Sequence, residues 1–467
     1  MSLDVASVLD GTGARAVDGE GHNVSLTASE LRLPFSGIAV DSRDVSPGDL
    51  FFALPGERTD GHLFASDAAN RGAAALVAAH PVTVSQPIRQ FVVPDTFTAL
   101  HDLARYQRAR HKATVIGVTG SIGKTTTKEI MASILGTQFH ILRNTSNRNT
   151  EIGMPLTLLE LNDHHDVAVL EMGMYQPGDI ALLADIAQPE IGVVTMVAPI
   201  HLSRMGTIER IARAKSELVQ ALPPGGLAVL NADDPWTRAM AVSSGIARPV
   251  LAGVAGDADY RAADVEALGL EGVRFTVVAE GRVERFHTRV PGAHNIHAFL
   301  AAIAAARRLG MDWADIRDAI AAVTLDVRQR LLRGRDSLII DDSYNAAPMS
   351  MSAALELLRA APGHKIAVLG DMLELGPDEE RAHRQVGEEA ARVAEWLIIR
   401  GPRTRWIAEA AQRSGLPADR ILSADTNDEV VEDVRTVTAS LAHWSLLVKG
   451  SRGLELEGVV RELEALL

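Results

Sequence analysis

The chain has no cysteine. Structural disulfides, thiolate zinc sites and cysteine nucleophiles are therefore all excluded. It has no run of 18 apolar residues without charge, so no membrane span is expected. Its start, MSLDVASVLDGTGARAV, has no basic segment followed by an apolar one, so a secretory signal is not expected and a cytoplasmic location is. Basic residues are the minority, 46 against 60 acidic, for a formal net charge of −14. Binding to nucleic acid needs clustered Lys and Arg, which argues against such a partner. Small anionic ligands remain open, because local sites hold them and net charge does not. No low-complexity tract and no solenoid-period repeat is present.

What is there belongs to a globular chain of several domains. The 467 residues are 47% hydrophobic and 23% charged, and a chain of that length suggests three domains. Residues 1–95 carry short strand-like runs at Ser36–Val40, Leu50–Leu54 and Ala75–Ala78, with a helix expected over Phe64–Arg71. Residues 96–111 read as a linking helix. Residues 112–325 alternate strands (Thr114–Thr119, Val167–Glu171, Gly192–Val197, Leu227–Asn231) with helices (Thr125–Leu135, Asp179–Ile186, Ile208–Leu222). A β-rich insert near Val250–Val290 and a helix over His294–Leu309 follow. Residues 326–467 repeat the alternation, with strands at Ser337–Asp341, Ile366–Leu369, Trp396–Ile399 and Ser445–Val448. Strand–helix alternation of this kind predicts parallel sheets covered on both faces. The expected fold is α/β: a central phosphate-loop domain between a smaller α/β domain and a Rossmann-like one.

One motif carries chemistry unaided. Gly117-Val-Thr-Gly-Ser-Ile-Gly-Lys-Thr-Thr126 follows a strand and opens a helix. Glycines let backbone N–H groups approach phosphates, and the helix N-terminus adds positive potential. ATP is the expected ligand, held by Thr119, Gly120, Ser121, Gly123, Lys124, Thr125 and Thr126. Lys124 would reach the β- and γ-phosphates, and Thr125 would offer its hydroxyl to Mg²⁺. The common spacing asks for Gly where Val118 stands, so this is a shorter variant. Glu171 ends a neighbouring strand, where a carboxylate can bind Mg²⁺. His201 follows the strand Gly192–Val197, although an isolated loop histidine is more often a surface or core residue. Lys215 lies on an amphipathic helix, where an isolated lysine reads as solvated.

The stretch Val118–Glu129, with Glu171, His201 and Lys215, closely resembles the Mur ligase family, whose members join amino acids to the muramyl peptide of bacterial cell walls. The resemblance covers essentially the whole chain. It implies ATP-dependent amide formation through an acyl phosphate, with two Mg²⁺ sites. It implies metal-ligand roles for Glu171 and His201, and a carbamylated Lys215 that helps to hold the second ion. Asp341-Asp-Ser-Tyr-Asn-Ala-Ala-Pro348, Val368–Gly376 with His383, and Val448-Lys-Gly-Ser-Arg-Gly453 resemble the D-alanyl-D-alanine-adding members of the family. The implied substrates are therefore UDP-N-acetylmuramoyl-tripeptide and D-alanyl-D-alanine, and the protein is expected to be a monomer. Asp41-Ser-Arg43 and Asp60-Gly-His62 resemble the uridine-nucleotide-binding stretch, with Ser42 and Arg43 as contacts. Asn147 and Asn149 resemble the loop facing the substrate and the transferred phosphoryl group. His294–Asn295 resembles the family's His-Asn pair, whose Asn approaches adenine. Arg330 resembles a phosphate-contacting Arg, and Asp342, Tyr344 and Asn345 resemble residues completing the nucleotide pocket.

The chain departs from the family at Thr150 and Ala298, where Asn is usual, and at Met196 and Ala198, where Asn and Gly are usual. These bear on supporting hydrogen bonds, while the phosphate- and metal-binding residue types are intact. Two rival readings follow. One is a related ligase adding diaminopimelate or lysine; the other is a catalytically silent nucleotide-binding scaffold.

Overall fold

Short aliphatic strands assemble into three separate sheets of five, nine and six strands. The structure is a computed structural model and describes residues 3–18, 20–56, 59–86, 88–145, 147–199, 205–243, 249–324 and 330–467. The first sheet comprises β1 (Arg15–Val17), β2 (Ile38–Ala39), β3 (Leu50–Phe52), β4 (Ala75–Ala78) and β5 (Arg89–Val92). Its order is β1-β5-β4-β3-β2, parallel except for β1. The helix expected over Phe64–Arg71 begins as a 3₁₀ turn, Gly61–Phe64, and continues as Ala65–Asn70.

The central sheet contains β6 (Thr114–Thr119), β7 (Ile141–Arg143), β8 (Val167–Glu171), β9 (Ile191–Val194), β10 (Leu227–Asn231), β11 (Val250–Gly253), β12 (Tyr260–Ala267), β13 (Val273–Ala279) and β14 (Arg282–Thr288). The order is β14-β13-β12-β11-β10-β9-β6-β8-β7. Strands β6 to β12 run parallel; β13 alone is reversed, and β14, antiparallel to β13, returns to the common direction. The β-rich segment near Val250–Val290 is thus no separate insert. It extends the nucleotide-binding sheet at one edge, and the helix Ile296–Arg308 covers it with Phe299 packed on Phe275.

The last sheet is β15 (Arg330–Arg333), β16 (Ser337–Asp341), β17 (His364–Gly370), β18 (Trp396–Arg400), β19 (Ile421–Ala424) and β20 (Trp444–Lys449), in the order β15-β16-β20-β17-β18-β19. All pairs but β15–β16 are parallel. Separate apolar clusters fill its two faces, as a sheet buried on both sides requires.

The linking helix Thr96–Arg110 is capped by Asp95, whose carboxylate accepts from Thr98 N. Its apolar positions are fully buried: Leu100, Leu103 and Ala104 belong to one cluster with Phe52 and Phe91 of the first sheet and Met154, Leu170 and Ile180 of the central unit. The sequence reads this segment as a connection. In the structure it is the shared core of two units.

His383 is fully buried on the helix Glu379–Ala390. Its Nε2 accepts from Met372 N at 3.0 Å, and its Nδ1–H donates to the Glu379 carbonyl at 2.7 Å. Both bonds need the neutral ring, and burial lowers the imidazole pKa from its usual value. The unfolded chain therefore takes up a proton first as pH falls through about 6.5. This contribution to stability is present above that pH and is lost on going down toward the lower folded-state value. Melting temperatures measured from pH 7.5 to 5.5 should fall more steeply for the natural chain than for His383→Gln.

Candidate active site

The register of three parallel strands builds the site. Strand β6 pairs with β8 so that Val118 faces Glu171, and with β9 so that Thr119 faces Val194. The phosphate loop, the Glu171 carboxylate and Thr195 therefore emerge together at the carboxyl ends of the strands, where open α/β sheets hold their ligands. Gly120, at φ +150°, lets the loop pass against Thr195: a Cβ there would stand 1.9 Å from Thr195 Oγ1. Thr195 holds the loop in return, with its N–H donating to Thr119 O at 2.9 Å and its hydroxyl to Ile122 O at 2.6 Å. Ser121 N donates to Met196 O at 2.7 Å, and Thr119 Oγ1 donates to Met172 O at 2.9 Å. Gly123 opens the helix Lys124–Leu135 at φ +83° with no side-chain cap, which leaves that N-terminus to a ligand. Behind the loop a cavity of about 20 Å³ touches Thr127, Thr195, Asn231 and His297. That is room for one water.

Three of the expected residues meet through hydrogen bonds at Glu171. Thr125 Oγ1 donates to Glu171 Oε2 at 2.5 Å, and Asn149 Nδ2 donates to Oε1 at 2.8 Å. A second meeting point is the Gly120 carbonyl. Lys124 Nζ donates to it at 3.0 Å, and Lys215 Nζ at 2.8 Å. Lys215 is 3% exposed on the helix Ile208–Gln220 and makes no salt bridge with a described carboxylate. Burial, and then the positive charge of Lys124, push its pKa well below the usual lysine range. One hydrogen bond to a charged group returns about 1.5–3 kcal/mol, whereas desolvating an ammonium ion costs several kcal/mol. Burial thus shifts Lys215 toward the neutral amine. His201 lies outside the described residues.

The C-terminal unit meets the central one at this edge. The Tyr344 hydroxyl hydrogen-bonds Asn147 Oδ1 across the junction, with the Arg452 guanidinium 4.8 Å above the Tyr344 ring centre. Lys449, 1% exposed, donates to Asp342 Oδ2 at 2.7 Å and to Asn345 O at 2.9 Å, so it holds both ends of the Asp342–Asn345 turn. Arg330 lies on β15 and is engaged by Asp341 at 2.8 Å and Glu464 at 3.3 Å. Asn295 is buried, with Nδ2 donating to Pro291 O at 2.9 Å. Thr126 is half-buried on the first turn of the loop helix.

Ser42 and Arg43 form a separate cluster on the first unit. Arg43 is held by Asp41 at 2.5 Å, and its hydrogen bonds bring the Asp41 pKa down to about 2. Ser42 is buried and hydrogen-bonds Asp67. The residue-by-residue reading missed Thr195, Lys449 and Asn144. Lys449 had a signal, since it opens the Lys-Gly-Ser-Arg run. Thr195 and Asn144 act through neighbours that only the strand order supplies.

Parallel-sheet topology and a strand–loop–helix of this composition define a phosphate-loop nucleotide-binding protein. Residues 34–112 match the Mur ligase family catalytic domain, residues 118–306 the Mur ligase middle domain and residues 327–452 the Mur ligase glutamate ligase domain. The UDP-N-acetylmuramoyl-tripeptide–D-alanyl-D-alanine ligase of Escherichia coli K12 is 34% identical over 95% of this chain and 96% of its own. The enzyme of that name from Synechocystis is 37% identical over 83% and 84%. A crystal structure of MurF from Acinetobacter baumannii superposes with a TM-score of 0.88 at 28% identity, covering 99% of this chain and 98% of that one. The Thermotoga maritima MurF ligase, solved in complex with ADP, gives 0.78 at 30% identity over 92% and 97%. The chain belongs to the Mur ligase family.

Gly120→Ala tests the close approach to Thr195. The added methyl group cannot be accommodated without moving the loop, and ATP affinity measured by calorimetry should fall at least about tenfold, or ~1.4 kcal/mol.

Proposed function

We propose that this chain is an ATP-dependent ligase joining D-alanyl-D-alanine to UDP-N-acetylmuramoyl-tripeptide in peptidoglycan precursor synthesis. The observation that carries this reading is the meeting of Lys124, Thr125, Glu171 and Lys215 around one loop, in a chain that relatives of that name match along most of its length. The tripeptide carboxylate attacks the γ-phosphorus of ATP, giving an acyl phosphate and ADP. The dipeptide amine then attacks the acyl carbon, the carbon–oxygen bond to phosphate breaks, and an amide, inorganic phosphate and a proton are released. A carboxylate is a poor acyl donor, and ATP supplies the missing leaving group.

Lys124 and the loop Thr119–Thr126, through the N–H groups that open its helix, hold the β- and γ-phosphates. The Thr125 hydroxyl and the Glu171 carboxylate, which lie together, are hard oxygen donors suited to Mg²⁺. Among the described residues no group of three or more His, Asp or Glu side chains could hold a metal by itself. The donor set of the proposed reading, implied by the family resemblance, is Thr125, Glu171, Lys215 as its carbamate and His201. When bound, two Mg²⁺ ions neutralise the crowded phosphate oxygens. The neutral Lys215 amine combines with CO₂ to give a carbamate and a proton, and the buried neutral side chain becomes an anion.

Asn147 and Asn149 face the transferred phosphoryl group, Asn295 the adenine, and Arg330, Asp342, Tyr344 and Asn345 the rest of the nucleotide. Ser42 and Arg43 hold the uridine diphosphate end. The Tyr344–Asn147 contact supports closure of the C-terminal unit over the site, which keeps water from the acyl phosphate. No helix among the described residues is long and apolar enough to cross a membrane, and a cytoplasmic monomer suits these soluble substrates.

An assay of phosphate release with a panel of amines tests the assignment. Turnover should require both the UDP-muramyl-tripeptide and D-alanyl-D-alanine; equal turnover with meso-diaminopimelate or lysine and none with the dipeptide would overturn it. Lys215→Ala should lower kcat by about a hundredfold or more, with partial recovery on adding a short carboxylate. An unchanged rate refutes the carbamate role.

A further inference from the structure

Strand β7 ends at Arg143, whose partner on β8 is Val169. Regular pairing stops there, two residues short of Glu171. The next residue on the β7 side, Asn144, continues the ladder with its side chain. Its Oδ1 accepts from Glu171 N at 2.9 Å and its Nδ2 donates to Glu171 O at 2.8 Å. One carboxamide thus bonds both main-chain groups of the same residue, as one opposing residue does in an antiparallel ladder. The second Nδ2 hydrogen goes to Arg148 O at 2.7 Å, so Asn144 also sets the start of the loop that carries Asn149.

The arrangement is buried and backed. Asn144 is 2% exposed. Its own carbonyl accepts from Lys128 Nζ at 2.5 Å, and Lys128, 1% exposed, pairs with Glu129 at 2.8 Å. Glu129 is in turn engaged by Arg143 at 3.3 Å. Lys128 and Thr125 share one helix, Lys124–Leu135. A single network therefore fixes the Glu171 main chain from β7 and the Glu171 side chain from Thr125 and Asn149. A side chain buried this deeply, with its donors and its acceptor all used, is a fixed strut.

We infer that Asn144 is a positioning residue for Glu171: it sets the direction in which the carboxylate leaves β8, and so the geometry offered to a divalent cation. Lys128 keeps Asn144 in place. The inference rests on the proposed role of Glu171 as a metal ligand. Groups that orient ligands from behind typically change metal affinity by 10–100-fold when removed.

The test is Mn²⁺ binding, followed by electron paramagnetic resonance in the presence of a non-hydrolysable ATP analogue, with melting temperature measured in parallel. The natural chain is compared with Asn144→Ala and Glu171→Gln. Asn144→Ala should weaken Mn²⁺ binding about tenfold, with nucleotide affinity in the absence of metal unchanged. Glu171→Gln should weaken it at least as much. Natural Mn²⁺ affinity in Asn144→Ala beside a loss in Glu171→Gln overturns the inference, whatever the change in melting temperature. Natural affinity in Glu171→Gln overturns the ligand reading beneath it. Should the alanine variant not fold, Asn144→Thr serves: its hydroxyl cannot bridge both Glu171 groups, and the same weakening is expected.

Discussion

The site depends on register. Because β6 faces β8 and β9 with Val118 opposite Glu171 and Thr119 opposite Val194, a phosphate loop, a carboxylate and a threonine emerge side by side. In a parallel sheet a slip by one residue turns every side chain to the other face. Buried aliphatic side chains of different shape pack both faces of β6, β8 and β9, and a slip would misfit both close-packed cores. The apolar core is what aims the polar site. Gly120 then lets the loop close on Thr195, and Asn144 extends the same ladder past the point where strand geometry ends.

Charge is handled without neutralising everything. Two lysines share the carbonyl of Gly120, and the buried one relieves the conflict by losing proton affinity. Lys449 and Lys128 are equally buried, yet each has an acidic partner, Asp342 and Glu129. Lys128 and Lys449 act as struts. Lys215 is set apart by the want of such a partner among the described residues, and the proposed reading gives it the reactive role.

Much of this was legible in the sequence because it is local. The strands Ala75–Ala78, Thr114–Thr119, Val167–Glu171 and Leu227–Asn231 are dense aliphatic runs, and they form as read. The loop glycines, Lys124 and Thr125 are contiguous, so their cluster needs no tertiary information. What was not legible depends on which strands become neighbours. The segment near Val250–Val290 looks like an insert, because its alternating polar pattern is that of exposed strands; only the β10–β11 pairing shows that it continues the central sheet. Asn144 looks like one more turn residue until β7 is placed beside β8. The Arg330–Asp341 ion pair follows from the hairpin register of β15 and β16, which sets Arg330 opposite Asp341. Ser42 and Arg43 offer short polar turns with no periodic signal, and their assignment came from resemblance alone.

The helix Thr96–Arg110 has a mechanical meaning. Its buried leucines join the core under the first sheet to the core under the central one, so those two units cannot hinge about it without opening apolar surface. The C-terminal unit meets the central one through thinner contacts, the Tyr344–Asn147 hydrogen bond and the packing of Leu270 into its core. Under the proposed closure, movement belongs to that side of the molecule. Under the proposed reading, the uridine end and the ATP end are fixed points of a rigid gauge. A peptide stem of the wrong length would leave its carboxylate short of the γ-phosphate or beyond it, so selection by length needs no dedicated recognition residue.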